Sequence, residues 1–350
     1  MDILIPGSRG VGYTVTSMAK TMSNLRLFTL NASSDFGNRI ARHMGIALTP
    51  HEERDFEDGE HKIRTLESVR NCDVYVIHAL YADDSQSVND KLCRMLFFIG
   101  SLKDAGAQTV TAVVPYLCYM RKDRKTKPRD PVTSRYVGSL FKAAGTDRIL
   151  TIDVHNLQAY QNGFRCYTEH LEAQKIFTDF FAAMAGHEDI AVMSPDSGGV
   201  KRAEQLRRRL EREIQQSIPL IFLEKKRSKG IVSGETVVGK VKGKTVVIID
   251  DLISSGTTLA RAAQACVQLK ATRVYAAATH GAFIGQAAGV LEEEALSQVV
   301  ITNTIPPFRL PDAIKEQKVK VLDVAPLFAE AISRMHEGGS LVELMDPIDN

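Results

Sequence analysis

The sequence lacks the marks of several protein classes. It has no tryptophan, and its five cysteines include no pair at the C-x-x-C spacing of zinc and redox motifs. An odd cysteine count argues against a disulfide framework and is typical of the reducing cytosol. No apolar run approaches the ~18–20 residues that a membrane helix needs. No basic segment precedes an apolar one at the N-terminus, so no secretory signal is predicted. We therefore expect a cytoplasmic protein without a membrane segment.

The sequence also has little net charge. Its formal charge is +2 over 350 residues, whereas proteins whose main partner is a nucleic-acid backbone carry a strong basic bias. We therefore expect no nucleic-acid partner. Basic residues are clustered locally, as in residues 201–213 (KRAEQLRRRLERE). We interpret that tract as a solvated helix face on which Glu and Arg form pairs one turn apart.

Short apolar runs alternate with helical patterns along the chain. The runs are rich in Val and Ile, as expected for strands that are buried on both faces of a parallel sheet. Strands are predicted at residues 25–30, 74–78, 109–114, 149–153, 190–194, 220–223, 245–249, 273–279 and 298–302. Helices are predicted at residues 35–44, 88–105, 133–144, 169–185, 199–215, 257–269 and 325–336. This alternation predicts α/β units with parallel sheets.

The alternation occurs twice, which predicts two domains. Residues 25–165 and residues 166–308 each have the size of one doubly wound domain. Residues 309–350 form a C-terminal segment whose helix we expect to return to the first domain. Residues 1–24 precede the repeat and are interpreted as an N-terminal extension. The predicted fold class is α/β, with a mainly parallel sheet flanked by helices in each domain.

The most informative segment is residues 245–258, TVVIIDDLISSGTT. An apolar strand ends in two aspartates, and a loop of small residues leads into a helix. Small residues let backbone N–H groups approach a phosphate, and the helix N-terminus adds unpaired donors and a positive dipole end. The carboxylates follow the strand at the edge where ligands bind in open α/β sheets, and they suit either ribose hydroxyls or a magnesium ion. The segment therefore predicts a phosphate-binding loop beside an acid pair.

Two other glycine- or serine-containing patterns have to be distinguished from a phosphate-binding loop. An ordinary strand–turn–helix with a serine N-cap explains Ser254 or Ser255 but not the paired acids that follow a wholly apolar strand. Residues 239–245 (GKVKGKT) are one residue short of a Walker motif and precede a strand, so we interpret them as a hairpin turn.

The segment at 250–258 resembles the phosphoribosyl-diphosphate-binding loop of type I phosphoribosyltransferases and of ribose-phosphate pyrophosphokinases. Other segments resemble the pyrophosphokinases in the same order. They are residues 56–60 (FEDGE), 115–125 (PYLCYMRKDRK), 151–155 (TIDVH), 194–199 (SPDSGG) and 303–306 (NTIP). The similarity spans about residues 28–338. It implies that both domains have a phosphoribosyltransferase-like fold.

The resemblance implies a role for each matching residue. The residues implied to bind ATP are Phe56, Asp58, Glu60, Arg121, Lys122 and Asp123. The residues implied to bind ribose 5-phosphate are Asp250, Asp251, Ser254, Ser255, Gly256, Thr257 and Thr258. His155 and Asp196 are implied to hold Mg²⁺, and Lys225 and Arg227 are implied to stabilise the group in transfer.

These roles agree with the chemistry of the side chains. Acids and an imidazole at strand ends suit Mg²⁺, which binds phosphates through few protein ligands. Arginine in the basic run at residues 121–125 can bind two phosphate oxygens at once. Residues 225–230 are polar, and we expect a basic loop that closes over the reacting groups.

The resemblance implies a Mg²⁺-dependent ribose-phosphate diphosphokinase, which makes phosphoribosyl diphosphate and AMP from ribose 5-phosphate and ATP. An ATP segment that reaches across a subunit boundary implies a homo-oligomer built from dimers, and the family commonly forms hexamers. Two alternatives stay open. A phosphoribosyltransferase would share residues 250–258 but has no need of residues 56–60 or 121–125. A non-catalytic regulatory paralogue is the other, because Ser254 replaces the usual third acid of the loop. Lys122 stands where the family usually has a glutamine, which leaves the nucleotide preference open.

Overall fold

The structure is a computed structural model that describes residues 24–185, 188–228 and 231–345, with side chains for all of these except residues 224–236. The predicted N-terminal extension therefore lies outside the described residues, apart from Asn24. The described strands form two large sheets and one separate hairpin. In the described residues, no helix combines the length and the apolar character needed to cross a membrane.

The first half of the chain forms a five-stranded parallel sheet. In chain order its elements are β1 (Leu25–Thr29), α1 (Ser34–Met44), β2 (His51–Asp55), β3 (His61–Thr65), β4 (Asp73–Ile77), α2 (Val88–Asp104), β5 (Thr109–Val114), α3 (Thr133–Ala143), β6 (Arg148–Ile152), α4 (Leu157–Gly163) and β7 (Tyr167–Leu171). The strand order is β1-β4-β5-β6-β7, and β2 pairs with β3 in an antiparallel hairpin. Every residue of β4 is buried, as expected where helices cover both faces of a sheet.

The second half forms a seven-stranded sheet. Its elements are α5 (Gln174–Ala185), β8 (Ile190–Ser194), α6 (Val200–Ile214), β9 (Leu220–Ser228), β10 (Ile231–Val238), β11 (Thr245–Ile253), α7 (Thr257–Gln268), β12 (Arg273–Gly281), α8 (Ala287–Glu292), β13 (Gln298–Thr302), α9 (Asp312–Lys318), β14 (Val319–Leu322), α10 (Ala325–Glu337) and α11 (Leu341–Leu344). The order is β10-β9-β8-β11-β12-β13-β14, and among these described strands only β9 and β10 pair antiparallel. The predicted fold class, α/β with mainly parallel sheets flanked by helices, is confirmed.

The strand order of the second sheet reverses between β8 and β11. From β8 the chain adds β9 and β10 on one side and then crosses to add β11 to β14 on the other. β11 pairs with β8 only from Thr245 to Ile248, and it continues to Ile253 beside β12. A crevice therefore opens past the carboxyl end of β8. Reversal points of this kind are where open α/β sheets bind ligands.

An apolar cluster joins the two halves. It includes Leu27 and Ile77 of the first sheet and Val192 of the second. Helix α10 also packs at this interface. The ring of Phe328 on α10 meets the ring of Phe36 on α1 edge to face, with centroids 5.5 Å apart. Helix α10 thus lies against the first half of the chain. The division of the chain at residues 165 and 308 stays a prediction.

Three predictions about local structure are wrong. The helix predicted at residues 169–185 begins at Gln174, because Tyr167–Leu171 pairs with β6 as the edge strand of the first sheet. The loop predicted at residues 225–230 is strand up to residue 228, because β9 continues to Ser228 beside β10, and residues 229 and 230 lie outside the described residues. The turn at residues 239–245 closes no hairpin, since the strands that it connects, β10 and β11, do not pair with each other.

Candidate active site

A cleft of about 530 Å³ opens where the carboxyl ends of the two sheets meet. That volume is in the range of small-molecule sites. From the first half, the cleft is lined by Arg121, Asp123, Arg124, His155 and Asn156. From the second half, it is lined by Asp196, Ser197, Gly198, Gly199, Arg202 and every residue from Asp250 to Leu259. The cleft thus combines the crevice beside β11 with loops of the other half.

The loop after β11 forms one wall of this cleft and leads into the N-terminus of α7. Gly256 occupies the cap position of the helix with a φ of 76°, a conformation that strains other residues. A Cβ atom at Gly256 would also lie 2.9 Å from Cγ1 of Val290. Ser255 Oγ and Thr257 Oγ1 are hydrogen-bonded at 3.0 Å. The free backbone N–H groups of a helix start make such a loop suited to an anion.

The acid pair faces the same cleft and shares one arginine. Nη1 of Arg202 donates to Oδ1 of Asp250 at 3.2 Å, and Nη2 lies 3.3 Å from Oδ1 of Asp251. Burial, together with the neighbouring charge of Asp251, raises the pKa of Asp250 to about 7. Burial also acts to raise the pKa of Asp251, but the hydrogen bond to His155 and the charge of Arg202 outweigh it and hold that pKa well below its usual value. The two acids therefore differ in how readily they ionise.

His155 connects the two halves at the cleft. Its Nδ1 lies 2.8 Å from Oδ2 of Asp251, and this hydrogen bond raises the pKa of His155 against the opposing effect of burial. The turn that carries His155 is held by Asp153, which has a φ of 42°. Oδ2 of Asp153 accepts hydrogen bonds from the backbone N–H of Ala173 at 3.0 Å and from Oγ1 of Thr279 at 2.5 Å. The histidine is thus fixed by contacts to both halves.

Asp196 lines the cleft but is bonded within its own turn. Its Oδ1 accepts the backbone N–H groups of Gly198 at 2.8 Å and Gly199 at 3.0 Å. A Cβ atom at Gly199 would lie 2.9 Å from Oγ of Ser194, so the turn requires a glycine. Across the described part of the chain, no three His, Cys, Asp or Glu side chains are grouped closely enough to hold a metal ion. The metal-binding role of His155 and Asp196 stays a prediction.

The residues predicted to bind ATP separate into three places. Arg121 and Asp123 line the cleft, and Oδ2 of Asp123 accepts a hydrogen bond from Nδ2 of Asn156 at 2.6 Å. Lys122 turns to its own loop, where its Nζ lies 2.7 Å from Oδ2 of Asp130. Asn156 was missed from the sequence, although it directly follows the predicted ligand His155.

Phe56, Asp58 and Glu60 lie on the turn of the β2–β3 hairpin and are absent from the lining of the cleft. The backbone N–H of Phe56 donates to the carbonyl of Glu60 at 2.9 Å, and Oδ1 of Asp58 accepts the N–H of Glu60 at 3.0 Å. Phe56 is 40% exposed, and the Arg54 guanidinium lies 5.2 Å from the centroid of its ring. A single chain therefore does not bring this group to the cleft.

The side chains of Lys225 and Arg227 lie outside the described residues. Their backbone belongs to β9, where Lys225 is opposite Glu235 and Arg227 is opposite Val232 of β10. Their predicted role in stabilising the transferring group therefore stays a prediction.

Arg202 is the main residue that the sequence interpretation missed. It belongs to the charged tract that was interpreted as a solvated helix face. That interpretation holds for Arg207 and Arg208, which both pair with Glu204. The available signal was position, since Arg202 lies in the first turn of α6 and directly follows the turn made by Asp196 and its glycines. The start of that helix faces the cleft.

Two family models match the chain. Residues 25–145 match the N-terminal domain of ribose phosphate pyrophosphokinase, and residues 191–346 match the phosphoribosyl synthetase-associated domain. A ribose-phosphate pyrophosphokinase of Caldanaerobacter subterraneus is 40% identical over 328 residues, which covers 93% of this chain and 99% of the relative. One from Bacillus cereus is 37% identical over 325 residues, with 93% and 98% covered. The crystal structure of phosphoribosylpyrophosphate synthetase from Mycobacterium smegmatis is 36% identical, covers 91% of this chain and 100% of that one, and superposes with a TM-score of 0.81.

Proposed function

This chain belongs to the ribose-phosphate pyrophosphokinase family, and on that premise we propose how its residues bind the substrates and bring them to reaction. The enzyme transfers the diphosphoryl group of ATP to the 1-hydroxyl of ribose 5-phosphate, which gives phosphoribosyl diphosphate and AMP. The likeness extends over nearly the whole length of both chains and includes both domains. A phosphoribosyltransferase, the first alternative, is therefore the weaker interpretation.

The observation that carries the proposal is the meeting of both halves in one cleft. The loop at residues 254–258 would bind the 5-phosphate through its backbone N–H groups and hydroxyls. Asp250 and Asp251, directly before that loop, would accept hydrogen bonds from the ribose hydroxyls. The hydrogen bond of 2.8 Å between His155 and Asp251 brings the first half within reach of the sugar. ATP would bind beside Arg121 and Asp123, on the opposite wall of the cleft.

A magnesium ion fits this set of donors. Asp250 is half-buried and Asp251 is buried, and the two adjacent carboxylates share a single arginine. Burial and the neighbouring charge of Asp251 raise the pKa of Asp250, and a bound cation would oppose both effects. Mg²⁺ takes few protein ligands beside substrate phosphates and its own waters, so a complete cage of side chains is not needed. Asp250, Asp251, His155 and Asp196 would hold it, and when bound it supplies positive charge to the phosphate oxygens.

The protein itself contributes position and charge. Arg121 would bind phosphate oxygens of ATP and orient the β-phosphorus toward the sugar hydroxyl. Lys225 and Arg227 would neutralise the charge that develops on the group in transfer. No covalent intermediate is needed, because phosphoryl-type transfers are accelerated mainly by positioning and electrostatic stabilisation.

The hairpin residues Phe56, Asp58 and Glu60 support an oligomer. They are exposed and lie away from their own chain's cleft. We propose that they complete the ATP site of a second copy, in a homo-oligomer built from dimers that reaches a hexamer. We further propose a cytoplasmic location, with no nucleic-acid or membrane partner.

An assay of products tests the proposed function. The purified protein is incubated with ATP and Mg²⁺, with and without ribose 5-phosphate, and AMP is measured. We expect AMP only in the presence of the sugar phosphate, because the 1-hydroxyl is the attacking group. Pyrophosphate release from phosphoribosyl diphosphate and a base, with no AMP in the first assay, would identify a transferase. Formation of neither AMP nor pyrophosphate would identify a regulatory paralogue.

A further inference from the structure

Arg202 contacts the oxygens that a divalent cation would need. Its two terminal nitrogens lie 3.2 Å from Oδ1 of Asp250 and 3.3 Å from Oδ1 of Asp251. The Arg202 side chain is 20% exposed, and the Asp251 side chain is 7% exposed, so water screens this contact weakly. Two cations at the same carboxylate oxygens repel each other. Arg202 and a divalent cation therefore compete for these oxygens.

A second cavity, the side cavity, adjoins Arg202. It has a volume of about 350 Å³, and Arg202 lines both this side cavity and the cleft. The side cavity is also lined by Glu172, Gln174 and Gln205. It offers room for a guanidinium that turns away from the acid pair.

The side cavity also offers acceptors for a guanidinium. Among the described residues, the carboxylate of Glu172 has no hydrogen bond or ion pair, and burial raises its pKa. Gln174 is 4% exposed, and its buried Oε1 has no hydrogen-bond partner within the described part of the chain. Its Nε2 already donates to the backbone carbonyl of Arg202 at 3.4 Å. A buried acceptor such as Oε1 of Gln174 is costly when it is left unpaired.

We propose that Arg202 is a built-in counter-ion that competes with the divalent cation for Asp250 and Asp251, and that its guanidinium turns to Glu172 and Gln174 in the side cavity when the cation binds. The inference rests on the proposed function, since it takes the acid pair as part of the metal site. Arg202 acts as a positioning residue. It sets the affinity of the acid pair for the cation. When no cation is bound, its positive charge offsets the repulsion between the two carboxylates.

The test measures Mn²⁺ binding by electron paramagnetic resonance, with full-length protein and saturating ribose 5-phosphate but without ATP. We expect Arg202→Gln to bind Mn²⁺ about tenfold more tightly than the wild type, because the competing charge is gone. Arg207→Gln is the matched control. Arg207 lies on the same helix with the same 20% exposure, and it pairs with Glu204 and Glu211 away from the cleft. It should leave Mn²⁺ affinity unchanged.

Glu172→Gln tests the side cavity independently. Removing its charge should weaken Mn²⁺ binding about threefold, because the displaced guanidinium loses its acceptor. In the Arg202→Gln background the same change should have no effect, which a double-mutant cycle measures as coupling. Unchanged or weaker Mn²⁺ binding in Arg202→Gln would overturn the inference, as would a Glu172→Gln effect that persists without Arg202.

A separate variant tests the proposed metal site itself. Asp250→Asn should abolish the high-affinity Mn²⁺ signal. If Asp250→Asn binds Mn²⁺ as the wild type does, the assignment of the acid pair to the metal is contradicted, whatever Arg202 does.

Discussion

Replacing Asp250 by asparagine is expected to lower turnover at least about a hundredfold and to make the protein more stable above neutral pH. Turnover falls because a neutral amide accepts hydrogen bonds from sugar hydroxyls, and binds a metal ion, less strongly than a carboxylate does. Stability rises because the pKa of Asp250 is raised to about 7 by burial and by Asp251, so folding resists its ionisation. The folded protein then binds this proton more tightly than the unfolded chain does. Stability conferred by the protonated group is therefore lost as the pH rises from about 4 to 7.

Asp251→Asn is the matched comparison, and its stability change has the opposite sign. The pKa of Asp251 is held below its usual value despite burial, chiefly by the hydrogen bond to His155. Its ionised form therefore stabilises the fold above about pH 4, and this stability is lost as the pH falls through the lowered pKa. At pH 8 with a chelator present, thermal unfolding should show Asp250→Asn stabilised and Asp251→Asn destabilised, each by roughly 1–3 kcal/mol. Shifts of the same sign in both variants would contradict this account of the acid pair.

Lys225→Ala is expected to lower kcat about a hundredfold to a thousandfold while KM for both substrates changes less than about threefold. The reason is that Lys225 would contact charge that is present in the transition state and small in the ground state. Steady-state kinetics with each substrate varied in turn measures the two effects separately.

The neighbouring Lys226 offers a matched control, since it has the same charge on the same strand and no implied role. Lys226→Ala should retain kcat within about threefold of the wild type. A Lys225→Ala enzyme that lost affinity and turnover in equal proportion would show that this lysine binds substrate rather than the transition state.

The buried strands could be predicted from the sequence because most of their residues are apolar. β5, β8 and β13 have the predicted bounds, and all three consist mainly of buried apolar residues. β2 and β3 were missed, because HEERD and HKIRT form a partly exposed hairpin with too few apolar residues to show a pattern. β7 was mistaken for helix for a similar reason, since an edge strand with partly exposed residues can be polar.

In the candidate site, residues that are adjacent in sequence could be predicted, and contacts between residues far apart in sequence could not. The acid pair and the loop at residues 250–258 are contiguous in sequence, so strand, turn and helix start could be recognised together. The contact of His155 with Asp251 joins residues 96 positions apart, and it depends on how the halves pack. Arg202 was hidden for another reason. Its sequence neighbours are typical of a solvated helix, and only the direction of the helix start brings it to the cleft.

The central claim is that the segment from Asp250 to Thr258 binds the sugar phosphate. The most direct measurement is a crystal structure of the protein with ribose 5-phosphate. We expect the phosphate oxygens to accept hydrogen bonds from backbone N–H groups of residues 254–258, with ribose hydroxyls at the carboxylates of Asp250 and Asp251. Ribose 5-phosphate bound elsewhere, for example with its phosphate at Arg121 and Arg124 and nothing at the start of α7, would contradict the claim.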